Sequence, residues 1–139
     1  MVLGSVAMLI VAAFVSWAGL QIKAARFAYY REQTFQIAEA GIEYYRWHLA
    51  HAPNDYQDGT GGPGPYVHEY YDKDGNNIGQ FILTITAPPL GSTLVAIESE
   101  GRAFIPLINA TLSRTIRVQM GIPSWAQYAT VTNSFVAFG

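Results

Sequence analysis

The chain has 139 residues, of which half are hydrophobic and only 13% are charged. Its net charge of -2 gives no electrostatic basis for binding nucleic acid. The sequence contains no cysteine, which excludes disulfide bonds and thiolate metal sites. Once the apolar N-terminal stretch is set aside, the remainder is long enough for one small domain.

The N-terminal stretch predicts an unusually long helix. Residues 1–22 carry no charged side chain, and no proline occurs before Pro53. The helical pattern continues after the apolar stretch and predicts one helix over residues 3–51, about 70 Å long. Residues 1–22 suit the ~30 Å hydrocarbon layer of a membrane, whereas residues 23–51 are amphipathic and require water and a packing partner.

Two other interpretations of this stretch fit less well than a transmembrane helix. A cleaved secretory signal needs a basic N-terminal region, and no Lys or Arg precedes Lys23. A buried core helix would overfill the core of a small domain.

Small residues along a transmembrane helix allow neighbouring helices to pack closely. The candidate packing residues are Ala7, Ala12, Ala13, Ser16 and Gly19.

Basic residues lie only after the apolar stretch. Lys23, Arg26 and Arg31 are predicted to anchor the helix at the lipid headgroups of the membrane interface. By the positive-inside rule alone, they would place the C-terminal side in the cytoplasm. We expect instead that a basic leader precedes the recorded Met1, and that the head lies outside the cytoplasmic membrane.

The chain after the helix predicts a loop and a sheet. The helical pattern stops at Ala52 because a following proline disfavours helical backbone. Residues 52–65 are rich in glycine and proline and predict a loop. A period of two then predicts about four strands. They span residues 66–71, 78–87, 92–104 and 111–121. Gly101 in the third strand is a candidate bulge.

Short turns between consecutive strands favour an antiparallel meander over residues 66–123. One apolar face of this sheet needs a cover, which residues 23–51 can provide. The predicted fold is therefore α+β, with one long N-terminal helix packed against a C-terminal antiparallel sheet. Residues 124–139 are apolar and strand-like. Either they dock into the sheet, or the chain is truncated and continues beyond residue 139; we expect the truncation.

The contact between helix and head is predicted from a cluster of small residues. Ala38, Ala40 and Gly41 make a thin stretch of helix that a sheet can approach closely. The bulk for packing against the head is predicted to come from the residues that follow, Tyr44, Tyr45 and Trp47. The residues predicted to pack against the head are Phe35, Ala38, Ala40, Gly41, Ile42 and Tyr45.

Residues 38–43 read Ala-Glu-Ala-Gly-Ile-Glu, and this sequence resembles the signature of bacterial type IV minor pilins and pseudopilins. The resemblance covers the apolar helix, this motif and, more loosely, the plan of helix, loop and antiparallel sheet. It implies a structural subunit of a pilus or pseudopilus-like filament, with functions in secretion or adhesion. The implied partners are membrane lipid, other pilin-like subunits through helix bundling, and the pilus assembly machinery.

The family also carries a leader that ends in glycine, and a dedicated peptidase removes it before the new N terminus is methylated. The resemblance implies cleavage between Gly4 and Ser5, although the family usually has a large apolar residue after the cut. Major subunits carry a glutamate at the fifth mature position, where this chain has Leu9. In the family, that glutamate neutralises the terminal amine of a neighbouring subunit. A subunit at the filament tip has no neighbour above it, so the absence of the glutamate implies a tip or initiating role.

Other polar patterns have structural interpretations. Residues 72–77 resemble a calcium loop, but their glycine stands fourth instead of sixth, so a hairpin turn fits better. His48 and His51 are interpreted as solvated residues near the helix C terminus rather than zinc ligands. No pattern in the sequence indicates catalysis or a cofactor. The rival function is a signal-anchored surface protein whose head binds a partner without polymerising.

Overall fold

The structure is a computed structural model that describes residues 2–106 and 108–121. It contains one helix followed by four strands, which confirms the predicted α+β fold. The elements are α1 (Val2–His51), β1 (Tyr66–Tyr71), β2 (Asn77–Thr86), β3 (Leu94–Ile105) and β4 (Ala110–Gly121). The predicted tail, residues 124–139, and the last two residues of the predicted head lie outside the described residues.

The helix α1 is uninterrupted over 50 residues, which corresponds to a length of about 75 Å. It ends at His51, because Pro53 disfavours helical backbone in the residue before it. The N–H of Ala52 donates to the carbonyl of His48 over 2.8 Å and closes the last turn. The helix therefore runs from the apolar stretch into the head without a hinge.

The strands form one antiparallel sheet in the order β1-β2-β3-β4, as the short turns predict. The central strand β3 pairs in regular register with β2 on one side and β4 on the other. The predicted bulge at Gly101 is therefore wrong, because Gly101 lies opposite Phe81 and Arg114 with no register shift. An irregularity lies instead between Tyr70 and Tyr71 of the edge strand β1.

One face of the sheet is buried beneath α1. Every second side chain of β3 points towards the helix, as the period of a strand requires. Several strand residues are almost fully buried, among them Leu83, Val95 and Ile97. The opposite face of the sheet remains open to solvent and carries polar pairs such as Arg117 with Glu98. The head is therefore a two-layer structure with a single core between helix and sheet.

Helix and sheet backbones approach each other closely at Gly101. A Cβ atom built there would lie 2.5 Å from the backbone nitrogen of Ala38 and nearer still to the carbonyl oxygen of Thr34. No side chain fits in that space, so this position requires glycine. On the helix, a Cβ atom built at Gly41 would lie 2.9 Å from the ring of Phe81. Glycines on both elements thus allow the backbones to come together.

Replacing Gly101 with alanine is expected to lower the free energy of unfolding by about 1–3 kcal/mol, the usual cost of overpacking a filled core. The added methyl group would meet helix backbone, which cannot turn aside as a flexible side chain does. Chemical denaturation of the detergent-solubilised chain measures the change. The control is Gly121→Ala in β4, where a Cβ atom lies at an ordinary 3.6 Å from Leu94. Equal losses of unfolding free energy in the two variants would contradict the close packing at Gly101.

Candidate membrane and subunit interface

The N-terminal part of α1 exposes its apolar side chains. All described side chains of residues 4–22 are exposed, and α1 is long and apolar enough to cross a membrane. A signal sequence near an N terminus has the same length and composition. The large exposed side chains include Met8, Leu9, Val11, Phe14, Val15, Trp17 and Leu20. This segment offers a continuous apolar surface to lipid or to other helices.

The predicted packing residues do not all lie on one side of α1. Since an α-helix turns by ~100° per residue, Ala12, Ser16 and Gly19 share one side. Ala7 and Ala13 point in other directions, about 140° and 100° away from Ala12. We call Ala12, Ser16 and Gly19 the small-residue stripe. A Cβ atom built at Gly19 meets nothing within 4 Å, so the head leaves this part of the stripe open.

The predicted interface anchors lie directly beyond the apolar surface. Lys23, Arg26 and Arg31 are all exposed, and they spread around the helix over a rise of about 12 Å. Long basic side chains in this position can reach lipid phosphates while their stems stay on apolar surface. At the other end of α1, the predicted cleavage residues Gly4 and Ser5 are helical and exposed.

The structure places most of the predicted contact residues against the head. Ala38 and Tyr45 are completely buried, Ile42 is 8% exposed, and Gly41 is buried against the sheet. Ala40 is half-buried at the border of the contact. Small residues thus occupy the place where the sheet comes nearest, while Tyr45 fills the space beyond it.

The prediction was wrong for Phe35 and Trp47, which are 42% and 61% exposed. The buried side of α1 begins instead with Thr34 and Ile37, both completely buried. From Thr34 to Tyr45 the buried residues recur at alternating intervals of three and one, which is the pattern of one helix face. Phe35 points about 90° from the centre of this face, just beyond Ile42 at its edge, and Trp47 points about 150° from that centre. Phe35 therefore lies at the border of the contact and Trp47 on the far side of the helix.

The loop after α1 is fastened to the helix by Asp55. Its carboxylate accepts hydrogen bonds from the N–H groups of Gln57 and Gly59, at 2.8 and 2.7 Å, and lies 2.9 Å from His48 Nε2. Its carbonyl accepts a hydrogen bond from the Tyr45 hydroxyl at 2.9 Å. These donors, led by the Gln57 N–H, hold the pKa of Asp55 below its usual range. His48 is consequently a half-buried partner of the loop, and its interpretation as a solvated residue is wrong.

A second histidine–carboxylate pair joins the loop to β1. His68 Nε2 lies 2.6 Å from an oxygen of Asp58, whose side chain is 1% exposed. The His68 ring stacks on Phe81 and also contacts the ring of Tyr44, with centroids 4.9 and 4.6 Å apart. Burial raises the pKa of Tyr44, and the charge of Asp58 raises it further. No pattern in the sequence indicates this pairing, because it depends on the path of an irregular loop.

The described residues do not bring three His, Asp or Glu side chains together in the way that a metal site requires. The histidine–carboxylate pairs described above link the loop to α1 and to β1. Residues 72–77 form the predicted hairpin turn. The Asp72 carboxylate accepts hydrogen bonds from the N–H groups of Asp74 and Asn76, both at 2.9 Å, and Gly75 adopts a left-handed φ of 83°.

Asp55→Asn keeps the size of the side chain but removes its charge, and it is expected to destabilise the protein at pH 7. The pKa of Asp55 in the folded chain lies below its ordinary value of 3.8, so the carboxylate stabilises the fold above that pH. This contribution is lost as the pH falls through the lower, folded-state pKa. The difference in unfolding free energy between the wild type and the variant should therefore shrink in denaturation series at pH values below 3.8.

Asp74→Asn is the matched control for this series. Asp74 pairs with Lys73 on the surface, with both side chains more than half exposed. Such pairs contribute about 0–1 kcal/mol, so this variant should unfold much as the wild type does. A difference between the wild type and Asp55→Asn that stays constant with pH would contradict the role given to the Asp55 carboxylate.

No protein-family model, curated protein or solved structure matches the chain. The functional interpretation therefore depends on the fold and the surfaces described above, together with the short motif of residues 38–43.

Proposed function

We propose that this protein is a structural subunit of a type IV pilus or pseudopilus-like filament, inserted in the cytoplasmic membrane with its head outside before assembly. The observation that supports this most is the division of α1 into two parts with different surroundings. Residues 4–22 are apolar and exposed, whereas residues 34–45 are covered on one side by the sheet. One rigid element thus carries both an apolar contact surface and a folded head.

The exposed apolar part of α1 requires a non-aqueous environment. Contiguous apolar surface in water is unfavourable, and such surfaces mark contacts with membranes or proteins. About 20 apolar residues in a helix span the ~30 Å hydrocarbon layer. In the proposed cycle, lipid surrounds this surface while the subunit stands alone, and neighbouring helices replace the lipid when subunits bundle into a filament.

The rigid attachment of the head suits it for assembly by helix packing. The sheet touches α1 backbone to backbone at Gly101, and Asp55 fastens the following loop to the helix end. The head therefore cannot swing independently of the helix that carries it. When helices pack side by side, the positions of the heads are fixed as well. Contacts between unlike surfaces produce helical filaments when the rotation between neighbouring subunits does not close into a ring.

A tip or initiating position is the most specific form of this proposal. Leu9 is 71% exposed and supplies no carboxylate to a neighbouring terminal amine. A charged amine buried in an apolar bundle without a partner is strongly disfavoured. A subunit at the tip of the filament has no neighbour above it and does not face this cost. The assembly machinery is the expected partner at that stage.

Processing of the N terminus separates the filament subunit from a plain membrane anchor. Intact mass spectrometry of the protein extracted from membranes is expected to show loss of the residues through Gly4 and the addition of one methyl group at Ser5. A Gly4→Leu variant, which alters the residue before the proposed cut, is expected to keep the leader. An uncut wild-type chain would favour the signal-anchored surface protein over the filament subunit.

The small-residue stripe should govern association between helices in lipid. Ser16→Leu adds bulk in the middle of the stripe and is expected to weaken association by about 1 kcal/mol, or roughly fivefold, because close helix contact is lost. Energy transfer between donor- and acceptor-labelled copies in lipid vesicles measures this change. The control is Ala7→Leu, a similar change on the side of α1 about 180° away from Ser16. A larger effect at Ala7 than at Ser16 would show that a different side of the helix associates.

A further inference from the structure

The sheet begins beside α1 at about the level of Tyr30. One groove is lined both by Tyr29 and Tyr30 of α1 and by Phe104, next to the end of β3. From there the sheet covers the helix as far as Tyr45, which is completely buried. We call the side of α1 that faces the sheet its front. The described residues of the head leave the front exposed below Tyr30.

The small-residue stripe lies on the front of α1, beneath the head. Since the helix turns by ~100° per residue, Ser16 and Lys23 point within about 30° of the centre of the face that the sheet buries. Ala12 and Gly19 point about 50° and 70° from that centre. A helix that packs on the stripe therefore lies on the same side of α1 as the sheet.

A second copy whose helix packs on the front of α1 cannot stand at the same height. Packed helices lie about 8–10 Å apart, and the sheet already touches the helix backbone at Gly101, so no helix fits between them. In a bundle of nearly parallel helices, the neighbouring helix must end below the sheet. Because that helix continues to its own His51, the neighbour must be lower by at least ~21 residues, or ~32 Å.

The opposite side of α1, which we call its rear, is open beside the head. Gln36, Ala40, Glu43 and Trp47 point about 130–170° from the centre of the buried face. Ala40 is half-buried, and the other three are exposed. Trp47 is 61% exposed, and an exposed tryptophan is a frequent anchor of protein interfaces. The rear thus offers a neighbouring copy a small residue, a carboxylate and an aromatic ring.

A shift of ~21 residues brings small residues of the two copies together. Gly19 of the upper copy then lies level with Ala40 of the lower copy, and Ser16 lies within about one residue of the level of Gln36. For helix axes about 9 Å apart, the Cα atoms of Gly19 and Ala40 are separated by about 6–7 Å. Small residues are what such a close approach of two helices requires.

The same shift matches charged and aromatic groups. Lys23 of the upper copy lies within about one residue of the level of Glu43, whose carboxylate is paired with Arg46 but remains more than half exposed. Arg26 lies level with Trp47, and a guanidinium is attracted to the face of an indole ring. No ion pair of Lys23 or Arg26 is found among the described residues. Front and rear are therefore complementary where they meet.

We propose that two copies of this chain pack front to rear, with the upper copy shifted by ~21 residues, or ~32 Å, along the helix axis. The upper head then stands above the end of the lower helix, and the rear of the lower α1 covers part of the upper apolar stretch. This inference rests on the proposed filament function and adds the stagger between neighbouring copies. In an initiating pair, the upper copy occupies the tip.

Disulfide trapping tests the shift, because the chain has no cysteine of its own. The full chain carries Gly19→Cys and Ala40→Cys, and filaments sheared from cells that produce it are oxidised mildly. The two positions are ~32 Å apart within one chain, so a disulfide can form only between copies. Covalent dimers are expected on immunoblots. Ser16→Cys with Gln36→Cys is a second pair that tests the same contact and should also give dimers.

The matched control combines Gly19→Cys with Phe35→Cys. Phe35 is 42% exposed but points about 140° away from Ala40 around the helix. Bonded cysteines have Cα atoms within about 7 Å of each other, so this combination is expected to give no covalent dimers.

A charge reversal tests the contact between Lys23 and Glu43. Lys23→Glu places like charges together and is expected to lower the yield of dimers by about fivefold, the effect of one of the stronger exposed ion pairs. Adding Glu43→Lys restores opposite charges and should restore the yield. The control is Arg31→Glu, which lies beyond the end of the lower helix at this shift and should leave the yield unchanged.

The outcomes separate this inference from the proposed function. If cells produce no filaments that contain the wild-type chain, the filament function falls and the inference falls with it. If filaments form but neither cysteine pair gives dimers, the stagger is overturned while the filament function stands. Equal yields of dimers from the Phe35 control would also overturn the stagger. If Lys23→Glu keeps the full yield, the contact between Lys23 and Glu43 is overturned.

Discussion

The fold depends on one contact, at which the backbone of α1 meets the backbone of β3. Gly101 faces the peptide groups of Thr34 and Ala38 with no room for a side chain between them. This contact fixes how high the sheet sits on the helix and which side of the helix it covers. The larger core residues, such as Ile37 and Tyr45, then fill the space on either side. A helix with bulkier residues here would hold the sheet farther away, and the core would be left with voids.

The same contact explains why so much of the molecule can remain exposed. The core is small, but it is assisted by a loop that Asp55 and Asp58 tie to the helix end and to β1. The head packs on residues 34–45 of α1 and does not cover residues 4–22. The sheet leaves the apolar residues 4–22 uncovered, and this exposed apolar surface is the physical basis of the proposed filament function.

Much of the fold could be predicted from the sequence because its signals are local. The lack of proline before Pro53 predicts an unbroken helix, and the period of two predicts the strands. Contacts between distant segments were harder to predict. Phe35 was assigned to the contact with the head together with the neighbouring small residues, and Gly101 was assigned to a candidate bulge. Both assignments were wrong, since the requirement on each position comes from a partner element that local patterns do not reveal.

The prediction of the site was limited by the same physics. The small residues Ala38 and Gly41 indicated close approach, and the structure places both against the sheet. The links from His48 to Asp55 and from His68 to Asp58 were not foreseen, because an irregular loop has no period from which to infer its path. The surfaces proposed for lipid and for other subunits depend on the relative height of helix and sheet, which the sequence leaves undetermined.

The unbroken course of α1 between Ile22 and Thr34 has a geometrical consequence. We call residues 23–33 the linking segment. Its length sets both the distance of the head along the helix axis and the rotation of the head about that axis. One residue more or less would raise or lower the head by only ~1.5 Å but would turn it by ~100° about the axis. The length of the linking segment thus determines the direction in which the head faces relative to the apolar residues of α1. Insertions or deletions keep that direction only when they are close to whole turns of the helix.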